Sequence, residues 1–218
     1  MKLVALALVA AACGDNLRPR VDAISVEPDA PAGLPDLTLV AAQMDGTVTI
    51  TDTDFTADAC ELVEGCIGDM GTRRLLRFDT VTANIGTADL VLGPVPPPGV
   101  SAGIFVWSPC HMHHHVMGYA DYELSDGNGI VATGHKQGFC IEDDEQILQD
   151  GPSHGFNCNV QGITRGWADS YGKGLPCQWV DITDVVPGTY TLTVTVDATG
   201  ILLDSNPDDN SWTTSVTF

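Results

Sequence analysis

The chain has 218 residues, in which 9 Lys and Arg face 29 Asp and Glu, for a formal net charge of -20. Such a polyanion will not hold a nucleic-acid backbone by charge, and the longest apolar run falls well short of the roughly 18–20 residues of a spanning helix. With 44% hydrophobic and 17% charged residues, the composition excludes global disorder and suits one domain with a short tail.

The apolar run at residues 3–12 follows Lys2 and ends in Ala10-Ala11-Ala12 before Cys13. It reads as an export signal over residues 1–12, with Cys13 placed as the acylated first residue of a bacterial lipoprotein; cleavage after Ala12 with free secretion is the alternative. Residues 13–33 are rich in Pro, Asp and Ala and read as a tether. A single domain is expected over 34–218. Strand patterns fall at residues 37–40, 47–50, 75–82, 104–107, 119–124, 130–133, 178–182, 190–196 and 212–218, and no long helical periodicity competes with them. Asp126-Gly127-Asn128-Gly129 marks a hairpin turn, and 190–196 alternates strictly, as a half-buried strand does. The expected fold is all-β, an antiparallel β-sandwich with long disulfide-tied loops. Residues 142–168 lack strand character and read as one of those loops. Apart from Cys13, the cysteines at 60, 66, 110, 140, 158 and 177 are even in number, which in an exported chain implies three disulfides with 15 connectivities open.

Four of the six histidines fall within Cys110-His111-Met112-His113-His114-His115. His111, His113 and His115 alternate, so an extended segment turns them to one face, with His114 pointing away in a structural role. On a straight strand the outer pair would stand roughly 13 Å apart, so ligation of one metal requires a local bend. Three neutral imidazoles suit copper(II) or zinc.

These residues resemble the lysyl oxidases, copper-dependent amine oxidases whose cofactor is a lysine tyrosylquinone. The likeness starts at Trp107-Ser108-Pro109-Cys110-His111-Met112-His113-His114-His115. It continues at Gly134-His135-Lys136-Gln137-Gly138-Phe139-Cys140-Ile141-Glu142-Asp143, and is closest at Asp169-Ser170-Tyr171-Gly172 and from Cys177-Gln178-Trp179-Val180-Asp181 to Gly188. The resemblance implies His111, His113 and His115 as copper ligands, and Lys136 and Tyr171 as the precursors of the crosslinked cofactor. Lys136 is one of three lysines in the chain, and only it and Lys173 lie beyond the signal. The implied reaction is oxidative deamination of a primary amine, such as peptidyl lysine, by molecular oxygen, releasing aldehyde, ammonia and hydrogen peroxide. Where the family carries a histidine base this chain has Asp121, after a one-residue deletion, and Asp121 is the base the resemblance offers. Ser108 stands where the family usually has another histidine.

The resemblance further implies a structural calcium site formed by Asp36 and the carbonyl of Leu37 with Asp204, Asn206, Asp209 and Asn210, an oxygen set that suits calcium. It pairs Cys60 with Cys110, Cys66 with Cys177 and Cys140 with Cys158. The alternative to an oxidase is a non-catalytic surface module that binds copper or zinc together with calcium.

Overall fold

The structure, a computed structural model, describes residues 32–218. The export signal, Cys13 and all but the end of the tether lie outside the described residues. In chain order the elements are β1 (Leu37–Leu39), α1 (Ala41–Met44), β2 (Thr49–Phe55), α2 (Cys60–Val63), β3 (Gly71–Arg77), β4 (Thr80–Asn84), β5 (Leu90–Pro94) and β6 (Phe105–Ser108). They continue with β7 (His113–Ser125), β8 (Ile130–Gly138), β9 (Glu145–Gln146), β10 (Val160–Ile163), β11 (Trp167–Tyr171), β12 (Trp179–Asp181), β13 (Thr189–Val196) and β14 (Ser211–Thr217). All strand pairs are antiparallel, as expected. They form a large sheet β14-β13-β7-β6 with β8 on the free edge of β7, and smaller sheets β1-β4-β11-β9, β12-β3-β2 and β10-β5. None of the helices among the described residues is long and apolar enough to cross a membrane.

The core explains why the alternating strand is where it is. Leu192, Val194 and Val196 of β13 point inward and meet Tyr122 and Leu124 of β7, Trp212 of β14 and Phe78. Burying side chains of this size contributes about 1.5–3 kcal/mol each, which is what holds the sheets face to face. The Asp126 carboxylate closes the β7–β8 hairpin by accepting from the backbone N–H of Asn128 and of Gly129. That is the turn the sequence announces, with Gly127 at φ 86° supplying the left-handed residue.

Two expectations change. The run 75–82 is not one strand: β3 ends at Arg77, the chain turns at Phe78-Asp79, and β4 joins a different sheet. Phe78 is drawn fully into the core against Tyr122, ring centroids 4.7 Å apart, while Asp79 accepts the Lys173 N–H at 2.6 Å. Tertiary burial thus breaks a run whose local pattern is continuous. Residues 142–168 are not a bare loop either, since they contain β9 and β10 and enter β11. The Asp143 carboxylate gathers the segment, accepting from the N–H groups of Gly155, Phe156 and Thr164. Lys173, which follows β11, is half-buried with its ammonium donating to the Thr47 carbonyl at 2.9 Å.

β7 is the element that ties core to site. Its register with β8 slips between Val116 and Ala120, a bulge made feasible by Gly118 at φ 70°, so the histidine half pairs with β6 and the aromatic half with β13. β8 packs so closely on β12 that a Cβ at Gly134 would lie 2.4 Å from the Trp179 carbonyl oxygen. Gly134→Ala is therefore expected to cost about 1–3 kcal/mol by overpacking, read as a lower urea midpoint. An unchanged midpoint would show that β8 can shift freely.

Candidate metal centre and cofactor site

The bend that the histidine spacing requires is present at Met112, whose φ is 59°. A turn from Ser108 to Met112, closed by the Met112 N–H on the Ser108 carbonyl at 2.8 Å, carries His111 off the strand and back over His113 and His115. Ring centroids are 5.3 Å apart for His111 and His113, 5.5 Å for His111 and His115, and 4.9 Å for His113 and His115. The Nε2 atoms of His113 and His115 face each other at 2.9 Å. Burial, followed by the neighbouring His115, His111 and Lys136, pushes the His113 pKa down to about 4, so its ring is neutral at pH 7 and able to ligate. Phe139 stacks on that ring, the planes 16° apart. His114 points the other way and donates from Nε2 to the Val100 carbonyl at 2.7 Å, a structural placement as expected.

The disulfides are Cys60–Cys110, Cys66–Cys177 and Cys140–Cys158, the pairing the family resemblance implies. The first two tie α2 to the histidine turn and to the segment after β11. Between them they hold a residue that the sequence reading missed, Glu64. Its Oε2 accepts from His111 Nε2 at 3.1 Å and its Oε1 accepts from the Ser108 hydroxyl at 3.0 Å, with His115 Nδ1 3.6 Å from Oε1. Glu64, His111 and His115 each offer a ligand atom within 4.8 Å of the others. Its nearness in sequence to two disulfide cysteines was the available signal, but a lone Glu in Val63-Glu64-Gly65-Cys66 reads as a surface carboxylate.

Lys136, on β8, is 7% exposed. Its amine donates to the Pro176 carbonyl at 2.9 Å and lies 5.1 Å from the centre of the Tyr171 ring. Burial lowers its pKa to about 8, with Glu64 and Asp169 opposing the shift, so a few per cent or more of neutral amine exists near pH 7. Tyr171, on β11, is buried; its hydroxyl donates to the Phe139 carbonyl at 3.2 Å and accepts from the Phe139 N–H at 3.0 Å. Burial, then the charge of Asp169 and the Tyr119 phenol, raise its pKa well above that of free tyrosine. Asp169 is itself fully buried, accepts from the Tyr119 hydroxyl at 3.0 Å, and is raised well above the carboxylate range by burial and then by Asp144. A cavity of about 80 Å³ is lined by His111, His113, His115, Glu64, Lys136 and Tyr171.

Asp121 does not line this cavity. Its register partner on β8 is His135, whereas Lys136 stands opposite Ala120, and directly opposed residues share a face. Asp121 therefore lies on the face away from the Lys136 amine, and the geometry lends no support to a base role for it.

Between β13 and β14, the turn that contains the Pro207–Asp209 helical turn meets β1. Asp204 accepts from the Leu37 N–H at 3.1 Å and the Asn206 N–H at 3.3 Å through Oδ1, and from Asn210 Nδ2 at 2.6 Å through Oδ2. The Asp209 carbonyl accepts from Thr38 Oγ1 at 3.3 Å. Asp36 is fully buried, and the Asn210 Oδ1 and Ser205 Oγ atoms are buried without a hydrogen-bond partner. A buried carboxylate beside an unsatisfied amide oxygen is the donor set a hard cation satisfies.

Fold and cavity together define a class: a disulfide-tied all-β protein with a histidine-rich, metal-type centre beside a buried lysine–tyrosine pair. The chain belongs to the lysyl oxidase family, whose family model, described as Lysyl oxidase, matches residues 35–218. It is 37% identical over 189 residues to lysyl oxidase homolog 3A of Danio rerio and 35% identical over 189 residues to lysyl oxidase homolog 3 of Homo sapiens, covering 81% of this chain in each case. Lysyl oxidase homolog 2 of Xenopus tropicalis is 35% identical over 187 residues. The chain spans about a quarter of the length of these relatives, 24% of each.

Proposed function

We propose that the protein is a copper-dependent amine oxidase that converts primary amines, including peptidyl lysine, to aldehydes with release of ammonia and hydrogen peroxide. The observation that carries this reading is the Lys136 amine 5.1 Å from the Tyr171 ring centre within the cavity that the three imidazoles line. Metal binding alone needs neither residue. His111, His113 and His115 would hold copper, and an all-imidazole donor set fits it. Copper, when bound there, would supply oxygen-dependent oxidation, for which Tyr171 offers the ring and Lys136 the amine of a lysine tyrosylquinone. The residues around that pair have separable roles: the Pro176 carbonyl holds the amine, the Phe139 backbone holds the phenol, and burial keeps part of the amine neutral and nucleophilic. Phenylhydrazine labelling of copper-loaded, aerated protein followed by peptide mass spectrometry tests the reading. A hydrazone on a crosslinked Lys136–Tyr171 peptide is expected, and full copper loading without a crosslink would sink it.

Because the amine must lose its proton to add to the ring, crosslinking should speed up as pH rises to about 8, where Lys136 titrates, and level off above. Stopped-time mass spectrometry between pH 6 and 9 reads this directly, and a rate independent of pH would contradict the neutral-amine step.

Calcium at Asp36, the Leu37 carbonyl, Asp204, Asn206, Asp209 and Asn210 is the proposed fastener between the β1 end of the fold and the turn before β14. Chelation of calcium is expected to lower the melting temperature by several degrees, by mass action on a folded-state ligand. Identical melting in calcium and in chelator would remove the site. Export through residues 1–12 with a lipid on Cys13 completes the proposal and would place the oxidase at the cell envelope.

The non-catalytic alternative, a copper- or zinc- and calcium-binding module, draws on one observation: the position aligned with the family's base, Asp121, lies away from the cavity.

A further inference from the structure

The Glu64 carboxylate faces two of the three imidazoles, and which of their nitrogens it faces has a consequence for metal binding. A carboxylate is acceptor-only, so a ring nitrogen directed at it carries the proton, and in a neutral imidazole the other nitrogen is then the bare donor. Oε2 meets Nε2 of His111 at 3.1 Å, which leaves His111 Nδ1 bare. Oε1 stands 3.6 Å from Nδ1 of His115, beyond hydrogen-bond range, while Nε2 of that ring lies 2.9 Å from His113 Nε2. The carboxylate is itself held. Its side chain is 11% exposed, the Ser108 hydroxyl donates to Oε1, and the residue sits two positions before the Cys66–Cys177 bridge and four after the Cys60–Cys110 bridge.

We propose that Glu64 is the positioning carboxylate of the metal centre, which fixes the tautomer of His111 so that the ion is taken by Nδ1 of His111 beside Nε2 of His113 and His115. The inference rests on reading the cavity as a copper site. Direct ligation by Glu64 is the competing geometry, since its oxygens stand within ligand range of both rings. It would recruit His115 through Nδ1 and turn that ring's Nε2 away from the metal, giving up the convergence with His113. Ser108 gains a role in the same arrangement: where the family usually has a histidine, this chain has a hydroxyl that anchors the carboxylate.

The test uses the full chain under anaerobic conditions, so that copper binding is read before any cofactor forms. Copper(II) affinity is measured against a competing chelator for the wild type, Glu64→Gln and Ser108→Ala, with folding checked by circular dichroism. Electron paramagnetic resonance with pulsed detection of the remote ring nitrogens is recorded on each. Loss of a partner that orients a ligand typically weakens metal binding 10–100-fold. That loss is expected for Glu64→Gln, with all nitrogen donors retained and the remote-nitrogen couplings altered, and a smaller loss in the same sense is expected for Ser108→Ala. Unchanged affinity in a folded Glu64→Gln protein would overturn the proposal. So would an oxygen donor present in the wild type and missing in that variant, which would make Glu64 a ligand. Should Glu64→Gln fail to fold, the copper-loaded wild type decides: ligation of His111 through Nε2 refutes the proposal and ligation through Nδ1 supports it. These outcomes are independent of the oxidase reading. A wild type that binds copper as described but forms no crosslink would end the oxidase proposal and leave the role of Glu64 standing.

Discussion

Replacing Lys136 with alanine is expected to abolish peroxide release on addition of a primary amine while leaving copper affinity within a few-fold of the wild type. The amine donates to the Pro176 carbonyl and lies over the Tyr171 ring, with His113 close enough to feel its charge. Removing it deletes the nucleophile while leaving all three imidazoles in place. Lys173 offers no substitute, since its ammonium is held by the Thr47 carbonyl. Tyr171→Phe should give the same loss of turnover for the complementary reason, since the ring loses the oxygen from which oxidation begins. Its cost in stability comes from the Phe139 N–H left without an acceptor, about 1–3 kcal/mol, and from the lost donation to the Phe139 carbonyl. A hydrogen peroxide assay, run beside a copper titration, separates chemistry from metal loading. Sustained amine turnover in either variant would refute the mechanism.

The largest effect on stability is expected at Cys66–Cys177, which spans 111 residues. Chain-entropy arithmetic gives about 4–5 kcal/mol for a loop of that size and about 3 kcal/mol for the 18-residue span of Cys140–Cys158. The double variant Cys66→Ser with Cys177→Ser should therefore lose more of its resistance to urea than the corresponding change at Cys140 and Cys158. It should also lose copper, because the bridge holds Glu64 on one side and, on the other, Pro176, the acceptor of the Lys136 amine. Equal urea midpoints in the two double variants would show that the span of the bridge does not govern its contribution.

How much of this was legible in the sequence varied with the range of the interaction. The alternating strand at 190–196 and the Asp-Gly-Asn-Gly hairpin are local signals, and the structure realises both. The need for a bend among His111, His113 and His115 followed from strand rise alone, and Met112 provides it. The break at Phe78-Asp79 had no local mark, because it is imposed by a core pocket built from β7 and β13. The strands within 142–168 were hidden for a related reason: a two-residue β9 and a four-residue β10 are too short for a period to show, and it is Asp143 that assembles them. Glu64 was invisible because its role is created by two disulfides, and no spacing in the sequence reveals which histidines a carboxylate will face. Asp121 shows the converse: the resemblance offers it as the base, and its register opposite His135 sets it on the other face from Lys136.

The tethering of Lys173 has a bearing on the protein's life among its own copies. An oxidase of exposed lysines, as proposed for this chain, would meet other copies of itself, and any loose amine on their surfaces would be converted to an aldehyde able to couple one copy to the next. Among the described residues the only lysines are Lys136, sequestered in the cavity, and Lys173, half-buried and held by a backbone carbonyl. A described surface so poor in lysine would let the proposed oxidase act among its own copies without crosslinking them.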